Sequence, residues 1–147
     1  FAGSGILSME ALSRGAERVL AFEISKQAIA SIQKTVADLQ VEPAVSLRSG
    51  DVLRFLSRNR NEADRQFDIV FVDPPYQSDL AAKTIHLLVR GDWLHPESLV
   101  IVESSKRSEP SATPSGLAIL DARRYGDTQI TIYGLDKTDG QEPGTTP

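Results

Sequence analysis

The sequence contains no cysteine, which removes disulfides, thiol nucleophiles and cysteine-based zinc sites from consideration and fits a reducing, cytoplasmic location. Histidine is nearly as scarce. His86 and His95 do not form a His-x-x-x-His pair and have no carboxylate at a recognised ligand spacing, so no metal site is expected. No apolar run approaches the roughly 18 residues that a membrane span needs, and the longest runs are broken by charge or glycine, so no membrane association is expected. Basic charge is also in short supply, with 16 Lys and Arg against 20 Asp and Glu and a net charge of −4. Phosphate contacts supply most of the non-specific affinity for nucleic acid, so this balance argues against an autonomous nucleic-acid binder.

What is present suits a globular domain. The chain has 147 residues, 40% hydrophobic and 24% charged, enough for one domain with a single core over residues 1–135. The last stretch, 136–147, is rich in Gly, Pro, Thr, Asp and Glu without an apolar residue, and a disordered tail is expected there. The first residues are Phe-Ala-Gly-Ser-Gly, with no initiator methionine and no strand ahead of a glycine turn that normally follows one. The chain is therefore expected to be a fragment.

Apolar spacing after that turn predicts a helix over 6–14 that stops at Gly15. Val19-Leu20-Ala21-Phe22-Glu23 reads as a strand, and Ser25 stands where it would cap a helix carrying Ala28, Ile29, Ile32, Val36 and Leu39. The alternation continues with a strand over 44–48, a short helix over 51–59, a buried strand over 67–73, a helix over 78–89 and a strand over 98–103. Strands alternating with helices predict an α/β fold with a doubly wound, mostly parallel sheet. Two strand-like runs, 117–124 and 128–134, are separated by only three residues and predict a C-terminal antiparallel hairpin. Residues 108–115, with Pro110 and Pro114, read as a loop.

Two constellations carry chemistry. The first is Phe1-Ala2-Gly3-Ser4-Gly5 at the start of a helix, where glycine permits close backbone approach and helix N–H groups face a ligand. Glu23 follows Gly3 by twenty positions at the end of the next strand, the place from which a carboxylate accepts hydrogen bonds from a ribose diol. A dinucleotide fingerprint would have a third glycine at position 8; Ser8 stands there, which disfavours a nicotinamide dinucleotide. Asp51 follows Ser49-Gly50 and has two readings, an acceptor for an adenine amino group or a helix N-cap.

The second constellation is Asp73-Pro74-Pro75-Tyr76, directly after a hydrophobic strand. Two prolines fix φ and remove two donors, leaving carbonyl oxygens and the Asp73 carboxylate as a cluster of acceptors. Acceptors for both hydrogens of an exocyclic amine favour the pyramidal geometry in which its lone pair attacks. Tyr76 offers a face on which an extruded base can stack. Asp73 either orients the amine or also takes its proton, and an ordinary aspartate near pKa 4 is a weak base for the second role.

These motifs, with Glu10-Ala11-Leu12-Ser13-Arg14-Gly15-Ala16 after the glycine turn, resemble the bacterial small-subunit ribosomal RNA guanine-N2 methyltransferases of the RsmD type. The resemblance runs to about Leu135. The Asp-Pro-Pro-Tyr element alone is shared with DNA adenine-N6 and cytosine-N4 methyltransferases; the segment from Glu10 points more narrowly. The resemblance implies a Rossmann-like methyltransferase fold and methyl transfer from S-adenosylmethionine to the N2 amine of a guanine in 16S ribosomal RNA, free or in the assembling small subunit. A monomer is expected. The resemblance makes Phe1, Ala2, Gly3, Ser4 and Gly5 the cofactor turn, Glu23 with Ile24 the ribose side, Asp51 with Val52 the adenine side, and Asp73, Pro74, Pro75 and Tyr76 the catalytic loop. Family members carry a basic segment and a first strand ahead of the turn. Neither is in this sequence, so the sheet is expected to lack its first strand. Thr35 replaces a usual Asn and is expected to affect local packing only. Lys106, Arg107, Arg54, Arg58 and Arg60 are the candidates for phosphate contact. The rival readings are a DNA amino-methyltransferase, a non-catalytic module that binds a nucleoside or RNA, and a nicotinamide-dependent domain.

Overall fold

The computed structural model describes residues 1–58, 60, 65–75, 79–105 and 113–136. The chain forms two compact units, Phe1–Phe55 and Leu56–Pro147. In the first, helix α1 (Ile6–Ser13) starts directly from the glycine turn and is followed by β1 (Val19–Glu23), α2 (Lys26–Asp38), a single 3-10 turn (Glu42–Ala44), β2 (Val45–Ser49) and α3 (Val52–Leu56), whose last residue enters the second unit. Gly15, at φ 98°, ends α1, and the next N–H, that of Ala16, donates to Ala11 O at 3.0 Å, the 6→1 bond of a glycine-terminated helix. Ser25 caps α2 as expected, its Oγ accepting from Ala28 N at 3.3 Å. β1 and β2 pair in parallel from Val19↔Val45 to Glu23↔Ser49, and α2 buries Ile32 and Val36. The Thr35 hydroxyl donates to Ser31 O within the same helix.

The second unit holds β3 (Phe67–Val72), α4 (Leu80–Arg90), β4 (Leu94–Ser105), β5 (Leu117–Tyr125) and β6 (Thr128–Leu135). Its sheet runs β3-β4-β6-β5, parallel between β3 and β4 and antiparallel in the other two ladders. The α/β alternation and the C-terminal hairpin are both present. Among the described residues the strands form two sheets, one per unit, with two parallel and two antiparallel ladders.

Three departures from the sequence reading stand out among shifts of one or two residues elsewhere. β4 begins at Leu94 rather than 98, running through Pro96, which lacks a ladder donor. The chain accommodates it with a register shift: Phe67 pairs with Leu94 but Ile69 pairs with Leu99. Ser98 Oγ bridges the bulge, accepting from His95 N at 2.8 Å and donating to Phe67 O at 2.6 Å. α3 is shorter than 51–59, ending at Leu56. Asp136, placed in the tail by composition, donates its N–H to Gly116 O at 3.0 Å; the rest of the expected tail, and residues 108–112 of the expected loop, lie outside the described residues.

Trp93 organises the core of the second unit. It is 1% exposed, stacks on Phe67 with ring centroids 6.0 Å apart, and carries the Arg58 guanidinium 5.0 Å from its ring centroid. Arg60 is likewise engaged structurally, Nη2 donating to Asp92 Oδ2 at 2.7 Å and Nε to Asp92 O. Two of the arginines proposed for phosphate contact are thus held by contacts within the fold, because each lies beside the turn that carries Asp92 and Trp93. Lys106 and Arg107 lie outside the described residues. His95 is held in place through both ring nitrogens: Nδ1 accepts from Glu97 N at 3.2 Å, leaving Nε2 to donate to Asp68 Oδ1 at 3.1 Å.

Gly91 shows how tightly this core is filled. Its φ of −86° suits any residue, yet a Cβ there would lie 2.6 Å from Trp93 Cδ1 and Nε1 and 2.9 Å from Leu87 O. Gly91→Ala is therefore expected to destabilise the protein by about 1–3 kcal/mol through overpacking. Urea unfolding checks this, and an unchanged midpoint would contradict it.

Candidate active site

Backbone bonds set the path of the glycine turn. Ala2 N donates to Phe22 O at 2.9 Å, laying the residues before the turn along β1, and Gly5 N closes the turn on Ala2 O at 2.8 Å. Gly3 and Gly5 have φ of 54° and 77°, a region L side chains rarely adopt. Their surroundings differ. A Cβ on Gly5 would press on Ile32 Cγ1 at 3.0 Å, so this glycine seats the start of α1 on α2. A Cβ on Gly3 would meet nothing within 4 Å, so that side of the turn is open. No side chain caps α1, which leaves its first N–H groups available to an anionic or polar ligand.

Glu23, the last residue of β1, locks the turn to the strand. Its Oε2 accepts from Gly3 N at 2.8 Å, and its Oε1 accepts from Ile24 N at 2.8 Å and Ser25 N at 2.9 Å. Burial pushes this carboxyl up, but the N–H groups of Ser25, Gly3 and Ile24 outweigh it and hold the group below its ordinary 4.5. An ionised carboxylate has about four acceptor sites, so three bonds leave capacity for a hydroxyl. Ile24, beside it, is 74% exposed, an apolar surface with no cover.

Gly50 N donates to Glu23 O at 3.0 Å, so the parallel pair brings the residues after β2 next to the end of β1. Gly50 has φ 147° and open space at its Cβ position. Asp51 Oδ1 accepts from Leu53 N at 2.8 Å and Asp51 O accepts from Phe55 N at 3.3 Å, so of its two readings the helix N-cap is realised. The N-cap bond uses Oδ1. Val52, the first residue of α3, is half-buried. The first unit thus gathers Phe1 to Gly5, Glu23, Ile24, Asp51 and Val52 around the C-terminal ends of its two strands.

In the second unit Asp73 leaves β3 at its C-terminal end and is exposed; Pro74 is buried and Pro75 exposed. Tyr76 lies outside the described residues. β3 ends at Val72, paired with Val102 of β4, and both valines are buried. Asp73 and Glu103 are the residues that follow this last pair in each segment. Burial raises the Asp73 carboxyl above its ordinary 3.8, and the charge of Glu103 raises it further. The sequence reading marked Glu103 only as a strand end. The available signal was the alignment of two parallel strands, each ending in an acid. Among the described residues no group of three His, Cys, Asp or Glu is placed to hold a metal ion, and no helix is long and apolar enough to cross a membrane.

Residues 1–134 match the family model described as Conserved hypothetical protein 95. The chain is 36% identical over 135 residues to ribosomal RNA small subunit methyltransferase D of Haemophilus influenzae, covering 90% of this chain and 68% of that protein. It is also 36% identical over 133 residues to the protein of the same name from Buchnera aphidicola subsp. Acyrthosiphon pisum, covering 90% and 67%. The chain thus spans about two thirds of the length of these relatives. Among solved structures, a conserved hypothetical protein of Streptococcus pyogenes superposes with a TM-score of 0.83 at 29% identity, covering 92% of this chain and 82% of that one.

The bonds at Glu23 give a pH-dependent prediction. Because its folded pKa is lowered, its stabilising contribution is complete above about pH 4.5 and is lost as pH falls through the folded value. The stability difference between wild type and Glu23→Gln is therefore expected to be largest at neutral pH and to shrink as pH falls below 4.5. A difference that stays constant down to pH 3 would contradict the ionised carboxylate as the acceptor.

Proposed function

We infer the activity from a premise of descent: the chain belongs to the family described as Conserved hypothetical protein 95, the RsmD family of methyltransferases. Its relatives named for the small-subunit ribosomal RNA support methylation of ribosomal RNA from S-adenosylmethionine, and we assign the acceptor as the exocyclic N2 amine of a guanine in 16S ribosomal RNA, free or in the assembling subunit. The observation that carries the reading is Asp73 at the end of β3, followed by two residues that cannot donate a backbone hydrogen bond. That arrangement suits an amine, which needs acceptors, and suits poorly a phosphate or carboxylate, which needs donors.

The residues of the first unit fit S-adenosylmethionine. The open side of Gly3 and the uncapped start of α1 would hold its amino-acid end, and the spare acceptor capacity of Glu23 the ribose hydroxyls. Exposed Ile24 would cover a face of the adenine, and the carboxylate of Asp51, with Val52 beside it, would meet the adenine amino group. When bound, this cofactor supplies a sulfonium methyl group open to in-line attack by nitrogen. Asp73 and the carbonyl of Pro74 accept the two amine hydrogens, which localises the nitrogen lone pair and aims it. Tyr76 stacks the extruded base.

Asp73→Ala is expected to reduce methyl transfer to small ribosomal particles by about a hundredfold or more while S-adenosylmethionine binding by calorimetry stays within twofold. The assay uses labelled cofactor with ribosomal particles, naked 16S ribosomal RNA and duplex DNA in parallel. Activity within a few-fold of wild type would remove Asp73 from the reaction, and label entering only DNA would overturn the ribosomal assignment.

A further inference from the structure

Glu103 is the acid that no motif accounts for. It lies on β4, half-buried, at the position after buried Val102, while Asp73 follows buried Val72 on the adjacent parallel strand. Neighbouring strands are roughly 4.8 Å apart, so residues that follow the last pair of a parallel ladder start out close together, and the charge of Glu103 acts on the Asp73 carboxyl. A carboxylate beside another acid holds its proton more firmly, which marks such a group as a candidate for proton handling.

We propose that Glu103 is a positioning residue that acts through Asp73, enabling the Asp73 carboxylate to take the proton that the acceptor amine releases. The proposal rests on the reading of Asp73 as the amine-holding residue. In the transfer, the N–C bond forms as the C–S bond breaks and its electron pair stays on sulfur. The nitrogen then carries one hydrogen too many. That proton passes to Asp73, which becomes a carboxylic acid and later returns it to water, leaving a neutral N-methyl amine. A lone aspartate with an ordinary pKa holds such a proton weakly, and the negative charge of Glu103 strengthens its hold without touching the substrate.

Among the described residues of the second unit, Glu103 is the side-chain charge that acts on the Asp73 carboxyl. On α4, Asp79 and Lys83 pair with each other at 2.7 Å. On β6 the partner of Glu103 is Ile130, which does not titrate. On β5 the residue opposite Ile130 is Arg123, held by Asp121 at 2.7 Å. Glu103 is therefore the acid to alter.

The test compares wild type, Glu103→Gln and Glu103→Asp by carbon-detected NMR titration of the Asp73 carboxyl, alongside the pH profile of kcat/KM on ribosomal particles. Asp73 must be ionised to accept the proton, so activity falls on the acid side of its titration. In Glu103→Gln the Asp73 midpoint and the acid limb should both move to lower pH, and kcat at neutral pH should fall about two- to tenfold with KM for RNA unchanged. In Glu103→Asp, which keeps the charge, the midpoint should stay close to wild type. A wild-type protein that transfers no methyl to RNA overturns the methyltransferase reading and this proposal with it. A transferring wild type whose Asp73 midpoint is unmoved in Glu103→Gln, or moves equally in Glu103→Asp, overturns this proposal alone.

Discussion

Parallel pairing brings the C-terminal ends of neighbouring strands to the same edge, and each unit of this protein uses that constraint separately. In the first, Glu23↔Ser49 is the last pair of the ladder, so the acid of β1 and the glycine turn after β2 lie side by side. In the second, Val72↔Val102 ends the β3 pairing, and Asp73 and Glu103 follow together. An antiparallel arrangement would have sent one member of each pair to the far end of the sheet. The hairpin of β5 and β6 is antiparallel and contributes none of the candidate site residues. The chemistry lies where the parallel ladders end.

The same constraint separates stability from chemistry. Trp93, its stacking partner Phe67 and the bulge at Ser98 lie where β3 and β4 begin, whereas Asp73 and Glu103 lie where their pairing ends. Overpacking at Gly91 should therefore unfold the protein without a specific effect on the acids, and altering the acids should spare the core. In the first unit the two are joined: the bonds that hold Glu23 also shape the turn proposed to bind cofactor, so a change at Glu23 touches both.

Much of this was legible in the sequence because it rests on local chemistry. The order of helices and strands, the Ser25 cap and the C-terminal hairpin follow from periodicity and turn residues within a few positions. Glu23 was legible because its spacing from Gly3 reflects a fixed path of helix and strand. The failures required information from distant residues. The start of β4 at Leu94 was missed because the Ser98 side chain that bridges the bulge around Pro96 acts across the ladder, on Phe67. Arg58 and Arg60 read as candidates for phosphate contact because their partners, Trp93 and Asp92, lie 35 and 32 positions away. Glu103 carries no motif at all, and its meaning depends on the register of a strand 30 residues earlier in the chain. Asp51 had two readings that local pattern could not separate, and one hydrogen bond to Leu53 N selected the cap for one of its oxygens.

The central claim is that this chain's acids serve methylation of a guanine amine in ribosomal RNA. The most direct measurement is mass spectrometry of nucleosides released from 16S ribosomal RNA of cells with and without the gene, followed by rescue with the wild-type and Asp73→Ala forms. The account predicts that one N2-methylguanosine per 16S molecule disappears on deletion, returns with wild type and stays absent with Asp73→Ala. An unchanged N2-methylguanosine content after deletion would contradict it.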